Sequence, residues 1–260
     1  MTDKQDQLGR MPPKTLIVAS RDLTIGAAFG WLRSGWNDFR NAGAISFIYG
    51  FFVYLVSITV AGLAWKLGGF VLLVTMLSGF VFVAPMLAFG LYSVSRQLCE
   101  GNQADLGHTI RAIKRPLGNA MVYTLVLLVI FLLWTRAGMM VQVFFPYGKD
   151  PEWDHIVTFL LIGSAVGSIF ACVSFAASVF SLPMIANRDV DVITAVISSI
   201  NAVLRNKPAM FVWAILISSM TLIGFLTAGL GLIIIIPWLA YATWHGYREA
   251  LDVSEWPKLK

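Results

Sequence analysis

Three histidines are the residues of this chain best suited to metal binding or proton transfer. His108, His155 and His245 fall on different segments, and His155 is expected on the opposite side of a membrane from the other two. No pair therefore has the spacing of a metal-ligand set. Each histidine is predicted to be structural or interfacial.

Cysteine and serine chemistry is equally sparse. Cys99 and Cys172 lie on different segments without a CxxC pair, so no disulfide is predicted. Cys172 lies inside an apolar run and is interpreted as a packing residue. There is no nucleophile-elbow pattern and no glycine-rich phosphate loop. The sequence therefore predicts no catalytic residue, no cofactor and no metal site, and the protein is predicted not to be an enzyme.

The composition places these residues in a membrane protein. Of 260 residues, 58% are hydrophobic and 13% charged, and the mean hydropathy is +0.76. Soluble proteins carry about 25% charged residues. Several apolar runs reach the roughly 20 residues that a helix needs to cross a bilayer. The six predicted spans are Gly43–Trp65, Leu67–Ser95, Gly118–Thr135, Ile156–Asn187, Ala209–Gly229 and Leu230–Trp244.

The connections between these spans differ in length. The joins at Lys66 and at 229–231 are short enough to predict helical hairpins, whereas 136–155 is predicted to be a longer loop containing several turn-forming residues. The fourth span, 156–187, is longer than one crossing requires. It is expected to tilt, to bend near Pro183 or to protrude.

The distribution of basic residues predicts the orientation. Sixteen of the 19 lysines and arginines fall on one side of the six spans, and only Lys66, Arg136 and Lys149 on the other. This positive-inside bias predicts that both termini are cytoplasmic. It also accounts for the net charge of +5 without a nucleic-acid partner, and the same basic residues suit anionic lipid headgroups.

An amphipathic helix too polar to span the bilayer is predicted before each pair of spans. Acidic residues open the three stretches at Asp22, Asp105 and Asp191, 83 and 86 residues apart, where they suit helix N-termini. The apolar positions are Ile25, Phe29, Leu32, Trp36 and Phe39, then Leu106, Ile110, Ile113 and Leu117, then Ile193, Ile197, Ile200 and Leu204.

The second span of each unit strengthens the repeat. PMLAFGLYSVSR from Pro85 aligns with PWLAYATWHGYR from Pro237, with eleven residues from proline to arginine in both. We interpret the chain as all-α: one six-helix membrane domain (22–252) between polar tails at 1–21 and 253–260. Its three units, about 22–101, 102–188 and 189–252, insert in the same orientation. The alternative is that apolar segments align through composition alone.

The aligned segments also suggest roles for individual residues. The predicted interfacial anchors are Trp36, Tyr92, Arg96, Trp244 and Arg248, while His245 falls opposite Ser93 and is interpreted as an interfacial residue. On the fourth span, a face of small residues predicts close helix packing, within this chain or with another subunit. These residues are Gly163, Gly167 and Ala171.

Three segments carry a resemblance to a known family: GWLRSGWNDFR (Gly30–Arg40), PMLAFGLYSVSRQLCEG (Pro85–Gly101) and ATWHGYREAL (Ala242–Leu251). They resemble proteobacterial integral membrane proteins of unknown function, some of which carry an automatic cytochrome c oxidase subunit I label. The resemblance implies a multi-pass protein of the bacterial inner membrane and supplies no activity. An oxidase catalytic subunit needs several histidines within its spans, whereas the three histidines here lie near span ends, so that label is rejected.

Two hypotheses about function follow. The first is a non-enzymatic accessory, assembly or organising factor of a membrane complex, whose partners are the lipid bilayer, anionic headgroups and another inner-membrane protein. The alternative is a channel or carrier for a neutral or weakly polar solute. Its path would be lined by hydroxyl groups at Ser57, Thr59, Ser78, Ser174, Ser218, Ser219 and Thr221.

Overall fold

The computed structural model describes residues 17–105, 107, 109, 117–144 and 153–258, without the side chains at 69–87, 117, 141–144, 153–156, 159 and 160. This part of the chain is mostly helical. In chain order its elements are β1 (Ala19–Ser20), α1 (Ala27–Ala42), α2 (Ala44–Leu87), α3 (Phe89–Cys99), α4 (Leu117–Phe144), α5 (Trp153–Ser178), α6 (Ser181–Asn187), α7 (Val192–Arg205), α8 (Lys207–Leu226), α9 (Leu232–Ala250) and β2 (Leu251–Asp252).

Helix α2 covers the first predicted span and most of the second. A straight helix of its 44 residues would be about 66 Å long. However, Ser95, just beyond one end, donates a hydrogen bond to Asp38 Oδ2, just before the other end, at 2.7 Å. The backbone of Gly90 likewise bonds Tyr49. The chain therefore reverses direction between these contacts, as a hairpin requires, although the helix continues through Lys66, where a short join was predicted.

The long fourth predicted span consists of two helices rather than one continuous helix. Helix α5 ends at Ser178 and α6 begins at Ser181, so that Pro183 lies in the first turn of α6, where its missing N–H costs no helical hydrogen bond. The Phe180 N–H released at the break donates to Ser199 Oγ, and the Ser199 hydroxyl donates to the Ala176 carbonyl. A bend near Pro183 was one of the three predicted outcomes.

Of the other two predicted connections, the turn between α8 and α9 agrees with the structure and the loop from Arg136 does not. Helices α8 and α9 are joined by a tight turn at the predicted glycines, with a positive φ at Ala228 and Gly229. The predicted loop from Arg136 is too long, because α4 remains helical to Phe144. Its apolar character continues beyond Arg136, and one exposed arginine does not end a helix.

Helix α9 lies at the centre of the core. It packs against α1, α2, α3, α6 and α8. Its contact with α1 is close because Gly35 faces Ala242, where an added Cβ would lie 2.5 Å from the Ala242 nitrogen. Gly50 of α2 approaches the Ile233 carbonyl in the same way. Small residues thus allow the first and last helices of the chain to meet.

Residues of both predicted tails, next to the predicted membrane domain, pack against the helices. Strands β1 and β2 pair antiparallel, Val18 is buried, and its N–H donates to Ser198 Oγ. Arg21 lies 3.1 Å from Asp252. Hydrogen bonds from Ser254 and Arg21 hold the pKa of Asp252 at about 2. Packed residues therefore lie on the tail side of both predicted boundaries, at 21 and at 253, with Val18 and Trp256 both buried.

Four helical stretches in the described part of the chain are long and apolar enough to cross a membrane. They are Ala44–Gly68, Gly118–Met140, Leu161–Asn187 and Lys207–Leu226. The predicted spans 67–95 and 230–244 are not among them. Most side chains of the former lie outside the described residues, and α9 becomes polar towards its C-terminal end.

Candidate functional site

Three chemically competent side chains meet where α1, α3 and α9 converge. His245 Nε2 lies 2.9 Å from Asp38 Oδ2. With Cys99 Sγ, their ligand atoms lie within 4.8 Å of one another. Asp38 is buried, His245 half-buried and Cys99 exposed, so the cluster opens to the surface on the cysteine side.

Local packing explains why these residues meet. The buried face of α1 carries Ala28, Trp31, Gly35, Asp38 and Ala42 at spacings of three and four, and the whole face packs towards α9. Asp38 therefore points inward, next to the turn of α9 that carries His245. Residues of α3 near Ser95 are also buried, which places Cys99 at the rim.

The order of hydrogen bonds excludes a serine-protease-like triad at this cluster. Catalysis of that kind needs the imidazole between the nucleophile and the carboxylate. Here the carboxylate of Asp38 lies in the middle: its Oδ2 accepts a hydrogen bond from Ser95 at 2.7 Å, and the same oxygen lies 2.9 Å from His245 Nε2. Ser95 is therefore oriented by Asp38 and is not activated by the histidine. Carboxylate, imidazole and thiol together are instead a set of donors for a cation.

The sequence interpretation of His245 as a plain interfacial residue missed this arrangement. That interpretation considered only the spacing of the three histidines from one another. His108 lies outside the described residues, and His155 lies at the start of α5. The actual neighbour, Asp38, is 207 residues away. One signal was available: Trp31, Gly35 and Asp38 follow the spacing i, i+4, i+7, which places a carboxylate on the small-residue face of an amphipathic helix.

The residues predicted as interfacial anchors divide into two groups. Tyr92 and Trp244 are buried and stack on each other, with ring centroids 6.5 Å apart and planes 21° apart. An anchor needs an exposed ring at the headgroups, so the anchor interpretation does not fit these two. Trp36 and Arg248 are exposed, and half-buried Arg96 donates to the Ala186 carbonyl of α6.

Within the described part of the chain, few atoms of other helices cover the predicted small-residue face of α5. No heavy atom lies within 4 Å of an added Cβ at Gly163, and at Gly167 the nearest is Trp134 Nε1 of α4 at 3.8 Å. Ala171 is half-buried, and Ser164 and Ser168 beside it are exposed. The close contacts between helices occur instead at Gly35, Gly50 and other glycines of the α9 core.

The amphipathic helices α1 and α7 turn their apolar stripes outward. Phe29 and Trp36 are exposed on α1, as is Ile25 just before it, although Phe39 of the same stripe is buried; Ile193 and Leu204 are exposed on α7. Helix α7 buries mainly small and polar residues against the protein, whereas α1 buries Trp31 and Phe39 as well as small residues and Asp38. The predicted second amphipathic stretch, 106–117, lies outside the described residues apart from 107, 109 and the first residue of α4.

The three acidic residues predicted at helix starts have different roles. Asp191 is the N-cap of α7 and accepts from the Thr194 N–H at 2.9 Å. Burial opposes its ionisation, but the hydrogen bonds from Thr194 outweigh it and hold its pKa below the usual value. Asp22 instead forms an exposed ion pair with Arg205, and Asp105 accepts from the Gly107 N–H.

Two hydroxyls predicted to line a solute path are used within their own helices. Ser57 donates to the Val53 carbonyl and Thr59 to the Leu55 carbonyl, each at 2.8 Å. Such back-bonding satisfies the hydroxyl without a solute. The Ser78 side chain lies outside the described residues.

Comparison with known proteins supports the membrane assignment. Residues 72–187, less than half of the chain, match a family model described as "Predicted integral membrane protein (DUF2189)". The match extends from within α2 to the end of α6. No curated protein and no solved structure matches the chain. The chain is thus similar, over its central part, to a family of predicted integral membrane proteins.

Proposed function

We propose that the protein is a non-enzymatic component of a larger assembly in the bacterial inner membrane, where it organises or assists other membrane proteins. The observation that carries this proposal is the open face of α5. Ser164 and Ser168 are exposed, and no described atom of another element lies within 4 Å of an added Cβ at half-buried Gly163, within a stretch long enough to span the bilayer. Small residues give no packing advantage when the face contacts lipid, whereas they allow a partner helix to approach closely.

Sparse packing of other spans supports the same proposal. In an apolar 18-residue segment of each of the stretches Ala44–Gly68 and Gly118–Met140, only 17% of the residues are buried inside the chain. Helices that pack so little against their own chain leave wide surfaces for other membrane proteins or lipid. The partner proposed for the α5 face is a transmembrane helix of a different protein.

We also propose that α1 and α7 lie at the cytoplasmic surface of the bilayer, with both termini cytoplasmic. Their outward apolar stripes suit the lipid boundary, and exposed Arg33 and Arg40 on α1 suit anionic headgroups. The six-span topology and threefold repeat belong to the same proposal. The stacking of Tyr92 on Trp244, which occupy equivalent positions of two units, supports the repeat.

Co-purification from native membranes tests the assembly role. A tagged chain is extracted in mild detergent, and the proteins recovered with it are identified and quantified. Wild type is expected to recover a distinct membrane protein in stoichiometric amount. Recovery of a lone chain in several mild detergents, or of a second copy only, would contradict the proposal.

A pair of glycine variants makes the test specific to the α5 face. Gly163→Leu should lose the partner because the leucine fills the face where the partner helix approaches. Gly62→Leu is the matched control, since Gly62 also has no heavy atom within 4 Å of an added Cβ but lies on α2. Gly62→Leu should keep the partner. Equal recovery with both variants would remove the α5 face as the docking surface.

A further inference from the structure

We propose that Asp38, Cys99 and His245 form a binding site for a divalent transition-metal ion, with Zn²⁺ as the best match. The proposal rests on the cluster alone and does not depend on the assembly role. Thiolate and imidazole favour Zn²⁺, whereas Mg²⁺ and Ca²⁺ prefer oxygen ligands only. The three donors therefore favour zinc and similar transition-metal ions over Mg²⁺ and Ca²⁺.

The distances suit a tetrahedral ion. With Zn–S near 2.3 Å and Zn–N and Zn–O near 2.0–2.2 Å, ligand atoms in such a site lie roughly 3.3–3.7 Å apart. The atoms of the cluster are separated by 2.9 Å at His245–Asp38 and by no more than 4.8 Å elsewhere. Movements of about 1 Å bring all three to coordination distance.

A hydrogen bond outside the ligand set positions the carboxylate. The Ser95 hydroxyl donates to Asp38 Oδ2 at 2.7 Å, and both residues are buried. Such contacts orient the ligands of metal sites and typically change affinity 10- to 100-fold when removed. Ser95 is thus a positioning residue of the site.

The site has one position left for a water molecule or a further ligand. Three protein ligands fill three corners of a tetrahedron, and the exposed side of Cys99 leaves the fourth open to the surroundings. The ligands come from α1, α3 and α9, so a bound ion joins the N-terminal helix to the last helix and to the end of the first hairpin. The ion would fix the relative positions of these elements.

The test follows alkylation of Cys99 in the full-length protein in lipid nanodiscs. The chain has two cysteines, so in a Cys172→Ser background all thiol reactivity reports on Cys99. The protein carries a tag without histidine and is first stripped with EDTA. Zn²⁺ is expected to slow maleimide alkylation at least about tenfold, and Ser95→Ala should raise the Zn²⁺ concentration required about 10- to 100-fold. His245→Gln should abolish protection.

Cobalt gives a second, spectroscopic signature. Co²⁺ bound in the Cys172→Ser background should show a thiolate-to-metal charge-transfer band, which should disappear in the further variant Cys99→Ser. Unchanged alkylation in the presence of Zn²⁺, or protection that is the same in Ser95→Ala and His245→Gln as in their parent, would overturn the proposal. If His245→Gln does not fold, Ser95→Ala decides the outcome, since it removes only one hydroxyl group.

Discussion

Trp31 fixes α1 against the rest of the helical core. It is 2% exposed, and its indole Nε1–H donates to Glu249 Oε2 at 2.7 Å. The ring packs edge-on against Trp213 and Phe180, with centroids 5.5 and 6.4 Å away, and lies next to Gly246, which leaves room for it. One side chain thus joins α1, α8, α9 and the break before α6.

Removing this ring should be costly. Trp31→Ala is expected to lower the free energy of unfolding by about 3–5 kcal/mol, because it opens a cavity in the core. Phe29→Ala on the same helix is the control, and should change it by less than about 0.5 kcal/mol because Phe29 is 60% exposed. Denaturant unfolding in detergent micelles measures both. Similar losses for the two variants would contradict the burial of Trp31.

At the scale of single residues, the sequence predicted the general character of a position better than the residues that it contacts. The spacing placed Ile25, Phe29, Leu32, Trp36 and Phe39 on one apolar face. Of these Phe39 is buried, but Phe29 and Trp36 are exposed, and the face of α1 that packs against the protein carries Trp31 and Asp38. In a membrane protein an apolar face can point to lipid, so apolar spacing alone does not identify the core. The neighbours of His245 are distant in sequence and required the tertiary fold.

Close glycine contacts set the distance between α1 and α9. Gly35 faces Ala242 with no room for a side chain, whereas Gly30, on the same helix, has no heavy atom within 4 Å of an added Cβ. The same substitution at the two positions should therefore change the free energy of unfolding in opposite directions.

Gly35→Ala should destabilise the protein by about 1–3 kcal/mol, because the methyl group forces the helices apart. Gly30→Ala should stabilise it by about 0.5–1 kcal/mol, because alanine loses less backbone entropy in a helix. Comparing the unfolding midpoints of the two variants with wild type tests both. A gain in stability with Gly35→Ala would show that the helices are not in close contact.

The N-terminus of α7 gives a third prediction. Asp191→Ala should cost about 1 kcal/mol, because the Thr194 N–H loses its acceptor. Asp22→Ala is the control and should be close to neutral, since the Asp22–Arg205 pair is exposed to solvent.

The contribution of the Asp191 cap to stability should also depend on pH. The pKa of Asp191 is lowered in the folded protein, so its contribution is complete above the unfolded pKa of about 3.9 and is lost as the pH falls through the lower folded value. The stability difference between wild type and Asp191→Ala should therefore shrink below about pH 4. A difference that stays constant down to pH 2 would contradict the cap.

Helix ends and turns were predicted well where they depend on interactions between residues that are close in sequence. The turn at Gly229 and the cap at Asp191 depend on neighbouring residues, and the helix break before Pro183 lies where a bend was one of three predicted alternatives. The end of α4 and the continuation of α2 through Lys66 were missed, because one charged residue in an apolar helix carries too little free energy to end it. The docking of β1 onto β2 was missed because its partners lie more than 200 residues apart.

The whole molecule combines a well-packed end with sparsely packed spans. Buried aromatic rings concentrate around α1, α3, α6 and α9, while Ala44–Gly68, Gly118–Met140 and Lys207–Leu226 bury little of their surface within the chain. Composition and run length predicted a polytopic helical protein. They could not predict which surfaces face lipid and which face another protein, because both are apolar.

The most direct test of the assembly role is the native mass of the particle that contains this chain. The protein is extracted with its surrounding lipid into polymer nanodiscs from native membranes, and intact particles are measured by native mass spectrometry. We expect the released protein mass to exceed the 28.6 kDa of one chain by the mass of a different protein, with Gly62→Leu unchanged and Gly163→Leu reduced to one chain. A mass of one chain alone in wild type would contradict the account.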